Sequence, residues 1–303
     1  MSFPIISLQG LNKSYGHIKA IDGLNLDVNH NIVFGFLGPN GAGKSTCLRM
    51  MLSLISPDSG TIRIFNKDLK TQRSEIMSHI GSIVEKPDFY LFLSAKDNLK
   101  ILAQLNKVNP TEHRIHEILE LVGLSNRASD KVKTFSHGMK QRLGLAQALI
   151  HDPALIILDE PTTGLDPQGI IDLRLLILQL KTETKKTILL SSHILSEIEL
   201  VADEMVIINK GKSIVQGKVN DLMSDQDLIL NIEISDVHFA KQKILERFPD
   251  CGLNIIDQYK IQCHLSRAEI PIVNELLRHP EIKIYALHYK RRLEDYFLKL
   301  TAS

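Results

Sequence analysis

The chain lacks an excess of either charge. Thirty-six basic residues stand against thirty-five acidic ones, for a formal charge of +1, so no bulk field draws in nucleic acid or an anionic membrane. It is also poor in cysteine. Cys47, Cys251 and Cys263 are odd in number and far apart, which argues against a disulfide framework and fits reduced thiols in a cytosol. Cys251 and Cys263 do not show the short paired spacing of metal ligands and read as core residues. No run of about 18 apolar residues occurs, and residues 1–10 lack a basic stretch followed by a long apolar one, so the chain is expected neither to cross a membrane nor to be secreted. Repeats and low-complexity tracts are missing too. What remains is length and apolar content: 303 residues, 44% hydrophobic, enough for one sizeable core and a second, smaller one.

Against that plain background one segment stands out, Gly38 Pro39 Asn40 Gly41 Ala42 Gly43 Lys44 Ser45 Thr46. Its spacing is that of a glycine-rich phosphate loop, with residues 31–37 before it expected as a strand and residues 47–55 after it as a helix. Glycines let successive backbone N–H groups turn inward around an anion. Lys44 adds an ammonium for the outer phosphates, and the Ser45 hydroxyl can join a Mg²⁺ shell. The segment reads as a site for a nucleoside triphosphate.

Short β-like runs at residues 5–11 and 18–28 open the chain, broken by Tyr15 Gly16 His17 and by Asp22 Gly23. Strands are then expected at 32–37, 80–84, 155–158, 187–191 and 205–208, alternating with helices, the pattern of a mostly parallel sheet. Residues 99–105 and 112–122 read as helices with no strand between them, a helical insertion. From about residue 220 the order becomes βαββαβα, with a strand built on Leu228, Leu230, Ile232 and Ile234, a hairpin around Asp257 Gln258, and a last helix over 292–300. That order predicts a small α+β domain of ferredoxin-like type. The expected domains are therefore 1–219 and 220–303.

Hydrolysis needs more than a cradle. Leu155, Ile156, Ile157 and Leu158 form a strand buried on both faces that delivers Asp159 to the carboxyl edge of the sheet, beside the phosphate loop. Asp159 is placed to hold Mg²⁺, and Glu160 to take the proton of an attacking water. Upstream, Thr134 Phe135 Ser136 His137 Gly138 Met139 Lys140 Gln141 Arg142 Leu143 begins a helix capped by Ser136.

Taken together, residues 36–46, 136–149, 155–161, 163–167 and 191–193 resemble the five ordered motifs of the ABC (ATP-binding cassette) ATPases, over about residues 5–217. The resemblance implies a P-loop NTPase core of α/β class, with an N-terminal antiparallel β-subdomain and a helical subdomain, followed by the small C-terminal α+β domain. It implies ATP and Mg²⁺ as ligands. Tyr15 matches the aromatic that stacks on adenine, and Gly38, Asn40, Gly41, Gly43, Lys44, Ser45 and Thr46 the phosphate cradle. Ser136 and Gly138 match residues that touch the γ-phosphate of ATP held on an opposite protomer, and Asp166 one that links the two sites. His193 matches the switch histidine that holds Glu160. Glu160, His193 and Glu85 make the catalytic set, and Ser45, Glu85 and Asp159 the metal set.

Two departures stand out. Glu85 occupies a place where most members carry glutamine; it is similar to the glutamate in ATPases of bacitracin and lantibiotic export or self-immunity. A carboxylate there still reaches Mg²⁺ and water, and its added charge should strengthen metal coupling. His137 stands where glycine or leucine is common. The resemblance further implies a second ATPase protomer, a homodimer, and a separate transmembrane permease received in a groove around Phe89 and Tyr90. The site of action is then the cytoplasmic face of the cell membrane, and the work is export, with a peptide antibiotic or other amphiphile as cargo. A soluble ABC ATPase acting on ribosomes or DNA is the alternative, disfavoured by the single cassette and balanced charge. A GTPase or nucleotide kinase would not explain residues 136–141.

Overall fold

Four consecutive aliphatics with no polar partner can be satisfied only in the middle of a sheet covered on both sides. In the computed structural model, which describes residues 3–85, 87–105, 108–223, 228–280, 282–291, 293 and 297, that is where Leu155–Leu158 lies. It pairs in parallel with Ile80–Ile83 on one side and Thr187–Ser192 on the other. Thr187–Ser192 pairs in turn with Val33–Leu37, and that strand with Glu204–Asn209, again in parallel. Lys212–Lys218 closes the sheet as an antiparallel edge, giving six strands among the described residues. Val33–Leu37, Leu155–Leu158 and Thr187–Ser192 are buried along their whole lengths.

A second sheet of four strands, ordered Ile18–Val28, Ile6–Tyr15, Ser59–Ile64 and Lys67–Asp68, is antiparallel. Its inward residues, among them Ile6, Leu8, Leu26 and Ile64, share one core with the helix Lys44–Met51. The break expected at Asp22 Gly23 is not a break. Gly23 takes a left-handed φ of 65° and Gly10 one of 56°, so register shifts absorb the extra residues and the strand runs on. Sequence periodicity also passed over Ser59–Ile64, whose only buried residues are Ile62 and Ile64. The helix after the phosphate loop begins at Lys44, earlier than residue 47, because Gly43 at φ 106° is its N-cap.

The helices Ala95–Leu105 and Glu112–Leu121 form the expected insertion. The signature helix, His137–Leu149, presses close against the sheet: a Cβ on Gly81 would lie 2.1 Å from the Ala148 carbonyl oxygen. Contacts divide the chain into two units, Met1–Val219 and Asn220–Ser303. In the second unit Asn254–Ile255, Lys260–Leu265, Leu228–Ile234 and Ile284–Arg291 form an antiparallel sheet in that order. In chain order this is 2-3-1-4, the ferredoxin-like arrangement, and the helices Val237–Arg247 and Ile270–Leu276 supply Ala240, Ile244 and Val273 to its core. The expected helix over 292–300 lies outside the described residues apart from Leu293 and Phe297. No helix among the described residues is long and apolar enough to cross a membrane.

Gly81→Ala should cost about 1–3 kcal/mol of stability by overpacking, read as a lower urea midpoint. An unchanged midpoint would contradict the close approach of the signature helix.

Candidate active site

The strand Val33–Leu37 ends at Gly38, whose N–H donates to the Ser192 carbonyl at 3.3 Å. A Cβ at Gly38 would lie 2.5 Å from the Ile208 carbonyl oxygen, and one at Gly43 2.5 Å from that of Ala20. Only glycine fits at either place, and the loop they shape leads straight into a helix N-terminus, an anion-binding geometry. Asn40 and Gly41 are exposed at its tip, and Ser45 and Thr46 lie half-buried in the first helical turn. Lys44 is 5% exposed. Its Nζ donates to the Gly38 and Pro39 carbonyls at 2.7 and 3.2 Å and stands 3.2 Å from Glu160 Oε1.

The Leu155–Leu158 strand delivers two carboxylates with different surroundings. Ser191 sits between them: its hydroxyl donates to Asp159 Oδ1 at 2.6 Å and accepts the Glu160 N–H at 2.8 Å. Glu160 holds a left-handed φ of 45°, a local strain of the kind that collects at functional sites. Its other carboxylate oxygen lies 3.2 Å from His193 Nδ1. Burial alone would lift the carboxyl of Glu160, but the Lys44 ammonium and then His193 outweigh it and hold it below its ordinary 4.5. It is therefore an anion at neutral pH, able to accept a proton. The fold gains from this anion above about pH 4.5 and loses that gain as pH falls through the lowered value.

Sequence reasoning missed Glu197. Its Oε2 accepts from Thr162 Oγ1 at 2.9 Å and from Ser192 Oγ at 2.7 Å, tying the turn after Glu160 to the strand end before His193. No motif singles it out; only the fold brings those two segments together.

Ser136 caps the signature helix as expected, accepting the Met139 N–H at 3.2 Å. Gln141, buried, donates to the Pro161 carbonyl at 3.2 Å, joining this helix to the segment after Glu160. Leu165 packs beside Gly138, the His137 ring abuts Gly164, and Asp166 caps the helix Pro167–Thr184 by accepting the Gly169 N–H at 3.0 Å. Tyr15 presents a half-exposed ring with Lys13 Nζ 5.7 Å from its centre. Glu85 pairs with Arg49. Lys44, Asp159, Glu160 and Ser191 thus form one group joined by hydrogen bonds and an ion pair, with His193 Nδ1 in contact range of Glu160, while Tyr15, Glu85 and Ser136 belong to separate elements with neighbours of their own. Ser45, Asp159 and Glu85 offer oxygen donors alone, a set that suits a small hard divalent cation.

A glycine cradle, a buried lysine and a carboxylate held between that lysine and a histidine agree with what comparison finds. A family model described as "ABC transporter" matches residues 21–163. The chain is 41% identical over 297 residues to the bacitracin transport ATP-binding protein BcrA of Bacillus licheniformis, covering 98% of this chain and 97% of that one. It belongs to the ABC transporter ATP-binding proteins. The lantibiotic transport ATP-binding protein SrtF of Streptococcus pyogenes is 43% identical over 227 residues, 75% of this chain and 96% of that one. A solved ATP-binding subunit of an ABC transporter is 28% identical, with a TM-score of 0.64 over 72% of this chain and 91% of that one. This ABC protein is therefore a nucleotide-binding ATPase subunit of a transporter, a class that works with transmembrane partners.

Lys44→Met removes the larger of the two cationic influences on Glu160. Its carboxyl should then titrate higher than in the parent, followed by ¹³C NMR of labelled glutamate; an unmoved titration would contradict the contact.

Proposed function

We propose that this ATPase, using Mg²⁺ and paired with a second copy of itself, drives export of a peptide antibiotic or similar amphiphile through a separate membrane subunit. The observation that carries the hydrolytic part is the placement of Glu160 between Lys44 and His193, with Asp159 fixed beside it by Ser191. Likeness to a bacitracin transport protein across nearly the whole chain, C-terminal unit included, supports the cargo class.

In this reading the triphosphate takes the place of the carbonyl oxygens and of Glu160 as partner of Lys44. The amides after Gly41 and the helix N-terminus neutralise its outer charges. Glu160, freed from the ammonium but still oriented by His193, accepts the proton of the water that attacks the γ-phosphate. Bound Mg²⁺ would be held by Ser45, Asp159 and Glu85 and would offset charge on the phosphate oxygens. Ser136 and Gly138 of the second copy close the site from outside, using a capped helix N-terminus whose hydroxyl and amides face the γ-phosphate. Tyr15, with its ring accessible, stacks on the base. ATP binding then favours the closed pair and hydrolysis reopens it, because only differential affinity for two states moves an equilibrium.

The coupling surface is read at Tyr90, Leu91 and Phe92, all exposed, with the Tyr90 and Phe92 rings 6.1 Å apart and the neighbouring Phe89 buried. An apolar patch of this kind suits a short amphipathic helix of a membrane subunit. The protein would act at the cytoplasmic face of the membrane.

Glu160→Gln should leave ATP binding intact and slow turnover by about 10² to 10⁴ as a general base is lost, with stable nucleotide-bound dimers seen by light scattering. Normal turnover would remove Glu160 from the mechanism. For the cargo, deleting the gene should raise susceptibility to bacitracin or a lantibiotic, and Phe92→Asp should do the same while purified ATPase activity persists. Unaltered susceptibility to both agents in the deletion strain would contradict the export reading.

A further inference from the structure

The departure at Glu85 has a structural counterpart in Arg49. Arg49 is the basic residue in the last turn of Lys44–Met51, the helix that starts with the phosphate-loop lysine, and its guanidinium is ion-paired with the Glu85 carboxylate. Surface pairs of this sort are usually incidental. Here the acidic partner also has an uncommon backbone: Glu85 holds a left-handed φ of 70°, unusual for a non-glycine residue. The segment is also gripped on both sides. Before it runs the strand Ile80–Ile83, buried except at Ser82, and after it Pro87 lies so close to the signature helix that a Cβ on Gly144 would meet Pro87 Cγ at 2.6 Å. The pair therefore ties the phosphate-loop helix to Glu85, two residues before the proline that packs on the signature helix.

We propose that Arg49 is a positioning residue for Glu85: it holds the carboxylate against the phosphate-loop helix, and a divalent cation arriving with nucleotide takes the carboxylate from it. This rests on the reading of Glu85 as a metal-facing group. Arg49 and the metal compete for one anion, so the metal is bound more weakly than a free glutamate would allow, and each cycle of nucleotide moves Glu85 between two partners. A glutamine at 85 has no charge for the guanidinium to hold, so the exchange is a property of glutamate at this position. Arg49 touches neither phosphate nor metal; it acts through Glu85.

The test is a double-mutant cycle on metal binding, without turnover. The full-length protein, saturated with a non-hydrolysable ATP analogue, is titrated with Mn²⁺ and followed by electron paramagnetic resonance, since Mn²⁺ accepts the same oxygen donors. Arg49→Met should tighten Mn²⁺ by about 1.5- to 5-fold, the range set by loss of one exposed ion pair. In the presence of Glu85→Gln the same substitution should have no effect. Arg49→Lys, which keeps the charge, should fall closer to the parent. Arg49 and Glu85 side chains are 37% and 66% exposed, so folding should survive, and thermal melting checks this. Equal shifts with and without Glu85→Gln, or no shift at all, would overturn the proposal while leaving the ATPase reading intact. Failure of the parent protein to bind Mn²⁺ together with the analogue would instead remove the metal site and this inference with it.

Discussion

The site depends above all on the register of parallel strands. Leu37 is level with Ser192, and Leu158 with Leu190, so the strands Val33–Leu37, Leu155–Leu158 and Thr187–Ser192 end within two residues of one another at the same edge of the sheet. Gly38, Asp159 and His193 follow within a residue or two of that edge, on three segments remote in sequence. Parallel pairing between fully buried strands makes this register hard to alter. A slip of one residue would exchange the two faces of each strand and carry Asp159 and Glu160 away from Ser191. The burial of these strands thus fixes, to within hydrogen-bond distance, where the charges lie.

On that frame the charges oppose and restrain one another. A buried ammonium and a partly buried carboxylate are each unfavourable alone; together with His193 and the loop carbonyls they form a neutralised set. The left-handed turn at Glu160 is a local strain of order 1–3 kcal/mol, and the Ser191 hydroxyl, which takes up its N–H, is one of the contacts that hold it there. Glu197 does the corresponding work outside the reacting atoms by joining Thr162 to Ser192. In the proposed reading a triphosphate exchanges with the contacts already made at Lys44, so nucleotide binding would also free Glu160.

Much of this was legible in the sequence because its signals are local. Glycine spacing marks the phosphate loop, a wholly aliphatic strand marks the sheet centre, and a serine before an amphipathic stretch marks the start of the signature helix. The ferredoxin-like order was readable from alternation at Leu228, Leu230, Ile232 and Ile234. What escaped was non-local or compensated. The strand Ser59–Ile64 exposes most of its residues and gives little alternation, and the bulge at Gly23 looks like a chain break until its partner strand is known. Gln141 with Pro161, Glu197 with its two hydroxyls and Arg49 with Glu85 are polar residues in ordinary positions. Only the folded chain shows that each bridges elements 20 or more residues apart.

The central claim is that one chain holds half of each reacting site, with the cradle on one copy facing the capped signature helix of another. It is tested by chemical proximity. Cysteines placed by Gly41→Cys in one chain and Ser136→Cys in a second should form an intermolecular disulfide under mild oxidant when the Glu160→Gln form is incubated with ATP and Mg²⁺, and not with Mg²⁺ alone. Failure of that crosslink to form with ATP, in protein shown to bind the nucleotide, would contradict the account.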